Sequence, residues 1–573
     1  MVQEAAAYKR KWWKESVVYQ IYPRSFMDTN GDGIGDLKGI TSKLDYLHDL
    51  GVDVIWVCPF YKSPNDDNGY DISDYYAISE EFGTMEDFEQ LLAEAHRKGI
   101  KVIADLVLNH TSDEHPWFVE ARESKDSPKR DYYIWRKAKE NNEPPSNWGS
   151  FFGGSAWEFD EQSGEYYLHI FNRKQPDLNW ENPLLIEELH RMVRWWLDKG
   201  LDGFRIDAIN HIVKMENFPD AEAPAHEKIV SAHHYFSNLP KVHEHIQNLN
   251  REVLSHYDIM TVGEAANTGP EEALLYVGED RDELNMVFHF EHLGMDFGNE
   301  GLEGWEKTPW QLSQLKEIIN QWQTKLHNKG WNANFWSNHD QPRAISRFGN
   351  DQEFRIESAK LLATLMFMLE GTPYIYQGEE IGMTNIKFDS IDDYRDSVTQ
   401  YFYRQAQQEG WAEDRIMRAI HQSSRDNART PMQWNDHSHG GFTTGTPWIQ
   451  VNPNASWINV ESAENEPNSI LNYYKKLISV RKGHLVAVYG KYEPILPEHS
   501  SILAFTRTLG NEQLFVVMNF SATRAHLEIP EALADQSFEL LLSNVESDTD
   551  KILAEGHLQP YESRIYSKVV KPC

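Results

Sequence analysis

The stretch Asp202-Gly203-Phe204-Arg205-Ile206-Asp207-Ala208-Ile209-Asn210 reads as a buried β-strand interrupted by charge. Its nearly continuous apolar run is that of a strand covered on both faces, as in a parallel sheet. Residues two apart in a strand share a face, so Arg205 and Asp207 project together. Buried charge is costly unless paired, and these two side chains can pair. On this stretch alone, a structural ion pair and a carboxylate held beside a cation in a reaction site are equal readings.

Seven further runs have the same texture: 17–23 (VVYQIYP), 52–59 (VDVIWVCP), 101–110 (KVIADLVLNH), 258–265 (DIMTVGEA), 284–290 (LNMVFHF), 332–340 (NANFWSNHD) and 372–380 (TPYIYQGEE). Between them lie helix-period segments such as MEDFEQLLAEAHRKG and LLIEELHRMVRWWLDKG, each ending in a Lys-Gly stop signal. Eight strand-and-helix units point to an α/β fold, a (β/α)₈ TIM barrel rather than a doubly wound sheet. Two intervals are too long for simple connections and predict insertions over the barrel mouth. The expected division is a barrel over 1–110 and 181–484, an inserted lid domain over 111–180, and a subdomain insertion near 385–450. From 485 to 573 the texture becomes all-β, with a Gly510-Asn511 turn signal, and predicts an antiparallel β-sandwich.

The chain has 573 residues and a formal net charge of −34, which argues against nucleic acid or an anionic membrane as partner. Its two cysteines, Cys58 and Cys573, can build neither a disulfide framework nor a cysteine-based metal site. With no apolar leader and no long apolar run, the expectation is a cytoplasmic protein, a monomer or weak homo-oligomer.

Chemistry in such a barrel sits at the strand ends. Here those ends carry Asp105, Asn109 and His110, then Arg205 and Asp207, then Glu264, and finally His339 and Asp340. Any one could be a satisfied core group, but three strands delivering carboxylates to one mouth is the stronger pattern. No phosphate-cradling glycine loop or serine nucleophile elbow competes with it. Neighbouring carboxylates in unlike surroundings have their pKa values pushed apart, as glycoside hydrolysis requires. Asp207 beside Arg205 is expected to stay ionised. Glu264, with few cations in its own run, is expected to keep its proton.

The segments DLVLNH, GFRIDAIN, TVGEAA and SNHDQPR resemble the four ordered motifs of the α-amylase family of glycoside hydrolases. The likeness extends over essentially the whole chain and is greatest to the oligo-1,6-glucosidase and α-glucosidase branch, which shares QPDLNW (175–180) and RDNARTPMQW (425–434). It implies Asp207 as nucleophile, Glu264 as general acid/base and Asp340 as third carboxylate, with His110, His339 and Arg205 around the same glucose. Asp67, Tyr70 and Arg425 match the residues that grip the terminal sugar and close the pocket behind it. The implied activity is exo-acting, retaining hydrolysis of terminal α-1,6 and α-1,4 glucosidic bonds in short oligosaccharides such as isomaltose, with glucosyl transfer as a side reaction. Ala208 departs from the Val or Thr typical after the nucleophile and is expected to broaden linkage use.

The run Asp28-Thr29-Asn30-Gly31-Asp32-Gly33-Ile34-Gly35-Asp36 places oxygens at alternate positions, as a hard cation needs. Similar glucosidases bind structural calcium there, which implies Asp28, Asn30, Asp32, the Ile34 carbonyl and Asp36, with magnesium as the alternative ion. A tight Asx/Gly turn is the competing reading, and no organic cofactor is implied. Rival activities are trehalose-6-phosphate hydrolysis, which calls for extra cations at the mouth, and sucrose isomerisation, whose arginine-rich segment is FEHLGMD here. A transporter-associated subunit of this fold is the non-enzyme alternative.

Overall fold

The computed structural model describes residues 8–224, 227–298, 301–529, 533, 538–546 and 556–569; Cys573 lies outside them. Among the described residues, eight parallel strands form one sheet: β1 (Val18–Ile21), β2 (Val54–Val57), β3 (Lys101–Val107), β4 (Gly203–Asp207), β5 (Met260–Glu264), β6 (Met286–Phe288), β7 (Ala333–Asn334) and β8 (Thr372–Tyr376). Each strand pairs with its sequence neighbours and β8 returns to β1. Between β6 and β7 a Val287–Asn332 bridge closes the ring. Closure leaves no free edge, and the expected TIM barrel is the observed one.

Several strands are shorter than the apolar runs that signal them. β7 is only Ala333–Asn334, so His339 and Asp340 lie in the loop beyond it. The connecting helices follow their sequence signals. The helix Met85–Arg97 starts on a Thr84/Asp87 capping box and buries Phe88, Leu91, Leu92 and Ala95, a stripe of 3- and 4-residue spacing. The helix Pro183–Asp198 starts on Asn182 and buries Leu185, Leu189, Met192, Val193, Trp196 and Leu197 in the same way. Gly203 opens β4 at φ +141°, where a Cβ would stand 1.8 Å from the Met260 carbonyl oxygen, so only glycine fits.

Register decides what faces the barrel mouth. Between β3 and β4, Asp105 is level with Arg205 and Val107 with Asp207. Between β4 and β5, Val262 is level with Arg205 and Gly263 with Ile206, which puts Glu264 level with Asp207. Alternation then turns Asp105, Arg205, Asp207 and Glu264 to the same inner face.

Three structures stand over or beside the barrel. The segment after β3 carries a three-stranded sheet, Trp135–Arg136, Glu165–Leu168 and Trp157–Asp160. Its core of Ile134, Trp148, Trp157 and Leu168 also takes in Phe218, Ala232 and Phe236 from the loop after β4, so the lid is built from two separate stretches. After β8, the helices Ser397–Gln408 and Glu413–Ser423 pack around Phe402, Ile416 and Ile420. The C-terminal region is a five-stranded antiparallel sheet among the described residues, covered on one face by a ribbon of Ala525–His526 and His557–Leu558.

Two buried arginines meet at the joint between this region and the barrel, Arg507 from the region itself and Arg481 from the helix Ile470–Gly483 on the barrel side. The helix Arg355–Met368 ends in carbonyls that have no partner within the helix. Arg481 donates to the carbonyls of Phe367, Leu369 and Gly371, and Arg507 to those of Met368, Val488 and Gly490. Both guanidiniums are essentially inaccessible. Charged donors at a helix C-terminus also complement its dipole. Replacing Arg507 with Met keeps the apolar stem but strips these carbonyls of their donor. We expect a loss of at least about 3 kcal/mol, since each charge-assisted bond contributes roughly 1.5–3. Equilibrium denaturation measures it, and unchanged stability would refute this account of the joint.

Candidate active site

Arg205 lies at the bottom of the barrel mouth, 1% exposed, with carboxylates from three strands around it. Its Nη1 donates to Asp105 Oδ1 at 2.5 Å and to Asp207 Oδ1 at 2.7 Å, and its Nη2 donates to Glu264 Oε2 at 2.6 Å. Trp56 and Tyr70 flank the guanidinium, 5.2 and 5.6 Å from ring centroid to its carbon. Asp105 is fully buried and also accepts from Trp56 Nε1, so it serves Arg205 and does not face the cavity.

Asp207 and Glu264 do face it. Burial pushes Asp207 up to about 6, against the pull of Arg205. Burial likewise raises Glu264 to about 7; Arg205 opposes this shift, while Asp207 and Asp340 add to it. The order of the two is the expected one, Asp207 below Glu264, but its physical causes differ from those read in the sequence. Arg205 does not keep Asp207 at an ordinary carboxylate pKa, because desolvation outweighs it. Nor does Glu264 lack a cation: Arg205, two strand residues before Asp207, reaches across to it.

A second knot closes the opposite wall. Burial opposes the charge on Asp340, yet His339, Arg425 and Arg429 hold its carboxyl well below the usual range. Arg425 Nη1 lies 3.2 Å and Arg429 Nη2 2.8 Å from Asp340 Oδ1. Burial also lowers His339, leaving a neutral imidazole, so the arginines supply the positive field. Its Nδ1 accepts from Gln20 at 2.8 Å, which leaves the proton on Nε2, 3.0 Å from Asp340 Oδ2. The ring stacks between Tyr22 and Tyr70 at 5.9 and 5.1 Å.

Arg425 continues to Asp67 at 3.4 Å and to Asp396 at 2.6 Å. Asp67 is raised to about 6 by burial, which Arg425 and Arg429 counter only in part, and it accepts from Gln175 Nε2 at 3.1 Å. His110 is neutral, lowered to about 3 chiefly by burial, and donates from Nε2 to the Tyr70 carbonyl at 3.2 Å.

The cavity these groups enclose is about 300 Å³, at the lower end of ligand pockets. Asp67, Tyr70, His110, Asp207, Ala208, Glu264, Asp340 and Arg425 line it; Arg205 and His339 lie just behind. Ala208 sits at φ +44° and ψ +35°, left-handed backbone, and its N–H donates to Glu264 Oε2 at 3.2 Å. Sequence reading did not single out Phe151, Phe152 and Phe171, which form an apolar wall, or Asp396 and Arg429 behind Arg425. Gln175 and Arg429 belong to motifs quoted above, which was the available signal. The phenylalanines had none.

The Asp28–Asp36 loop lies apart from this cavity. Asp28 Oδ1 accepts from Asn30 and Gly31 N–H, and its Oδ2 from Gly33 N–H and the Thr443 hydroxyl. Asp32 accepts from Ile34 N–H and from the Asn30 amide. Asp36 accepts from Thr29 and caps the helix Leu37–Ser42 through Gly39 N–H. Among the described residues, no group of three His, Cys, Asp or Glu side chains is arranged to hold a metal ion.

Comparison with known proteins adds a family. Residues 20–490 match the model for the α-amylase catalytic domain, and 492–565 that for the maltogenic amylase C-terminal domain. The oligo-1,6-glucosidase of Parageobacillus thermoglucosidasius is 57% identical over 560 residues, 97% of this chain and 99% of that one. Trehalose-6-phosphate hydrolase from Bacillus licheniformis superposes with a TM-score of 0.93 at 46% identity, covering 98% of this chain and all of that one. Isomaltulose synthase from Klebsiella sp. LX3 superposes with a TM-score of 0.92 at 43% identity, with the same coverage of both chains.

Proposed function

Because the chain belongs to the α-amylase family, we propose that it is an exo-acting α-glucosidase that cleaves terminal α-1,6 and α-1,4 glucosidic bonds of short oligosaccharides with retention of configuration. The observation that carries this is the single guanidinium shared by Asp207 and Glu264. It confines the two carboxyl groups to its own width, in keeping with the close spacing of retaining enzymes (about 5–5.5 Å) rather than the wider gap of inverting ones.

In the first step Asp207 attacks the anomeric carbon as Glu264 gives its proton to the glycosidic oxygen, and the aglycone departs as an alcohol. In the second, Glu264 takes a proton from water, whose oxygen displaces Asp207 and restores the α configuration. Asp340, held ionised by its arginines, stabilises the positive charge that develops on the sugar ring. His110 and His339 bond its hydroxyls. Asp67, Tyr70 and Arg425 close the pocket behind one glucose, which supports exo action. Arg425 is the one Lys or Arg lining the pocket among the described residues, and Asp67, Asp340 and Asp396 already engage it. No free cation is left to receive a phosphate, which favours isomaltose over trehalose 6-phosphate.

We further propose cytoplasmic residence and action on free sugars as a monomer or weak homo-oligomer, without nucleic acid or membrane partners. No helix among the described residues is long and apolar enough to cross a membrane. For the Asp28–Asp36 loop we propose calcium as a structural ion, with magnesium as the alternative. The all-oxygen donor set supports this, although a cation would have to replace the Asn30–Asp32 hydrogen bond.

Three measurements test these readings. Polarimetry or proton NMR of isomaltose hydrolysis should show α-glucose as first product. Its rate should peak between about pH 6 and 7, because Asp207 must be ionised and Glu264 protonated. β-Glucose, or turnover of trehalose 6-phosphate in preference to isomaltose, would overturn the assignment. Ala208→Val should shift preference toward α-1,6 bonds and destabilise the fold by about 1–3 kcal/mol, because a β-branched residue fits left-handed backbone poorly. An unchanged isomaltose-to-maltose ratio would remove Ala208 from linkage selection. Calcium should raise the melting temperature of wild type but not of Asp32→Ala; equal shifts, or none, would dismiss the site.

A further inference from the structure

A second concave site, lined in part by Ser346 and Arg347, shares no lining residue with the catalytic pocket. Its volume is about 1070 Å³, and Trp310, Arg347, Thr384, Asn452, Asn454 and Trp457 are among the residues that line it. Trp457 is 58% exposed, an unusual place for the largest apolar side chain. The Arg355 guanidinium carbon lies 5.1 Å from its ring centroid, so the indole is braced while much of its surface meets solvent. The turn that carries it, Pro453–Ser456, is pinned as well. The Asn452 amide donates to the Thr384 and Asn385 carbonyls at 3.2 and 3.1 Å, and the Asn454 amide to the Thr384 hydroxyl at 2.9 Å. Trp310, half-buried, is held edge-on by Phe348 and Phe520.

Among the described residues, three acidic side chains, Asp296, Asp351 and Glu353, and three basic ones, Lys307, Arg347 and Lys387, line this cavity, so it carries no net charge. Arg347 meets Asp296 through two bonds of 2.7 and 2.6 Å, and Lys307 stands 3.8 Å from the same carboxylate. Such a site does not call for an anion, and the chain's net charge of −34 repels one. Nor are three metal-ligating side chains gathered here or elsewhere among the described residues. A fixed, exposed aromatic plane beside amide and hydroxyl groups instead suits a neutral polyhydroxylated ligand, whose C–H faces stack on indole while its hydroxyls bond the rim.

We propose that this cavity is a second oligosaccharide-binding site, in which a neutral glucan stacks on Trp457 away from the bond-cleaving centre. The ligand class rests on the α-glucosidase reading. The site retains glucan and takes no part in chemistry.

Calorimetric titration of the full-length Asp207→Asn variant with isomaltotriose tests it. Two binding events are expected in Asp207→Asn, one in Asp207→Asn/Trp457→Ala, and a return toward two in Asp207→Asn/Trp457→Phe. In the otherwise native chain, Trp457→Ala should leave hydrolysis of a short aryl α-glucoside within twofold of wild type. A single binding event in the Asp207→Asn parent, or two in the Trp457→Ala double variant, would overturn the proposal. Failure of the native chain to hydrolyse any α-glucoside, with the Trp457-dependent event intact, would sink the catalytic assignment and leave this site standing.

Discussion

One guanidinium organises the chemistry of this molecule. Arg205 bonds Asp105, Asp207 and Glu264, which come from three adjacent barrel strands. A single positive charge cannot neutralise three buried carboxylates, and Arg205 does not bring any of them back to the ordinary carboxylate range. Asp105 and Asp207 rise to about 6 and Glu264 to about 7. Buried charge of this kind contributes little to stability, because desolvation consumes most of what the pairing returns. What it contributes is proton affinity near neutrality on two groups held side by side, the condition for one to act as nucleophile while the other acts as acid.

The pocket's second knot has the opposite balance. Asp340 meets two arginines and keeps its charge, while Arg425 is spread over Asp340, Asp67 and Asp396. The two knots give the cavity one wall of carboxyls poised to exchange protons and another with a permanent negative charge. The supports of this second knot come from distant parts of the chain. Asp67 follows β2, Asp340 follows β7, and Asp396, Arg425 and Arg429 belong to the insertion after β8. Barrel closure brings them together, so pocket geometry depends on the whole ring as well as on the lid.

Much of this was legible in one dimension because barrel strands buried on both faces leave a strong, unbroken apolar signal. All eight appear as such runs, and the polar residues at their ends include every carboxyl that lines the catalytic wall. Strand length was less legible: β7 keeps only Ala333 and Asn334 of a nine-residue run, because an apolar stretch does not say where pairing stops. The lid was read as one insertion, but its core takes Phe218, Ala232 and Phe236 from the loop after β4. No local pattern announces such a loan. The phenylalanine wall of Phe151, Phe152 and Phe171 was hidden for the same reason, since aromatic residues in an irregular stretch show no periodicity.

By itself the sequence determined the barrel, the order of its strands and the residue types at its mouth, because hydrophobic period and strand-end polarity are local properties of the chain. It also placed Arg205 and Asp207 on one strand face by alternation alone. Tertiary structure decided which groups share Arg205, and therefore which protonation each carboxyl favours. Register brought Glu264 level with Asp207, and burial raised both, although Arg205 reaches each of them. A pKa follows from desolvation and from charges across space, and neither exists until the barrel has closed.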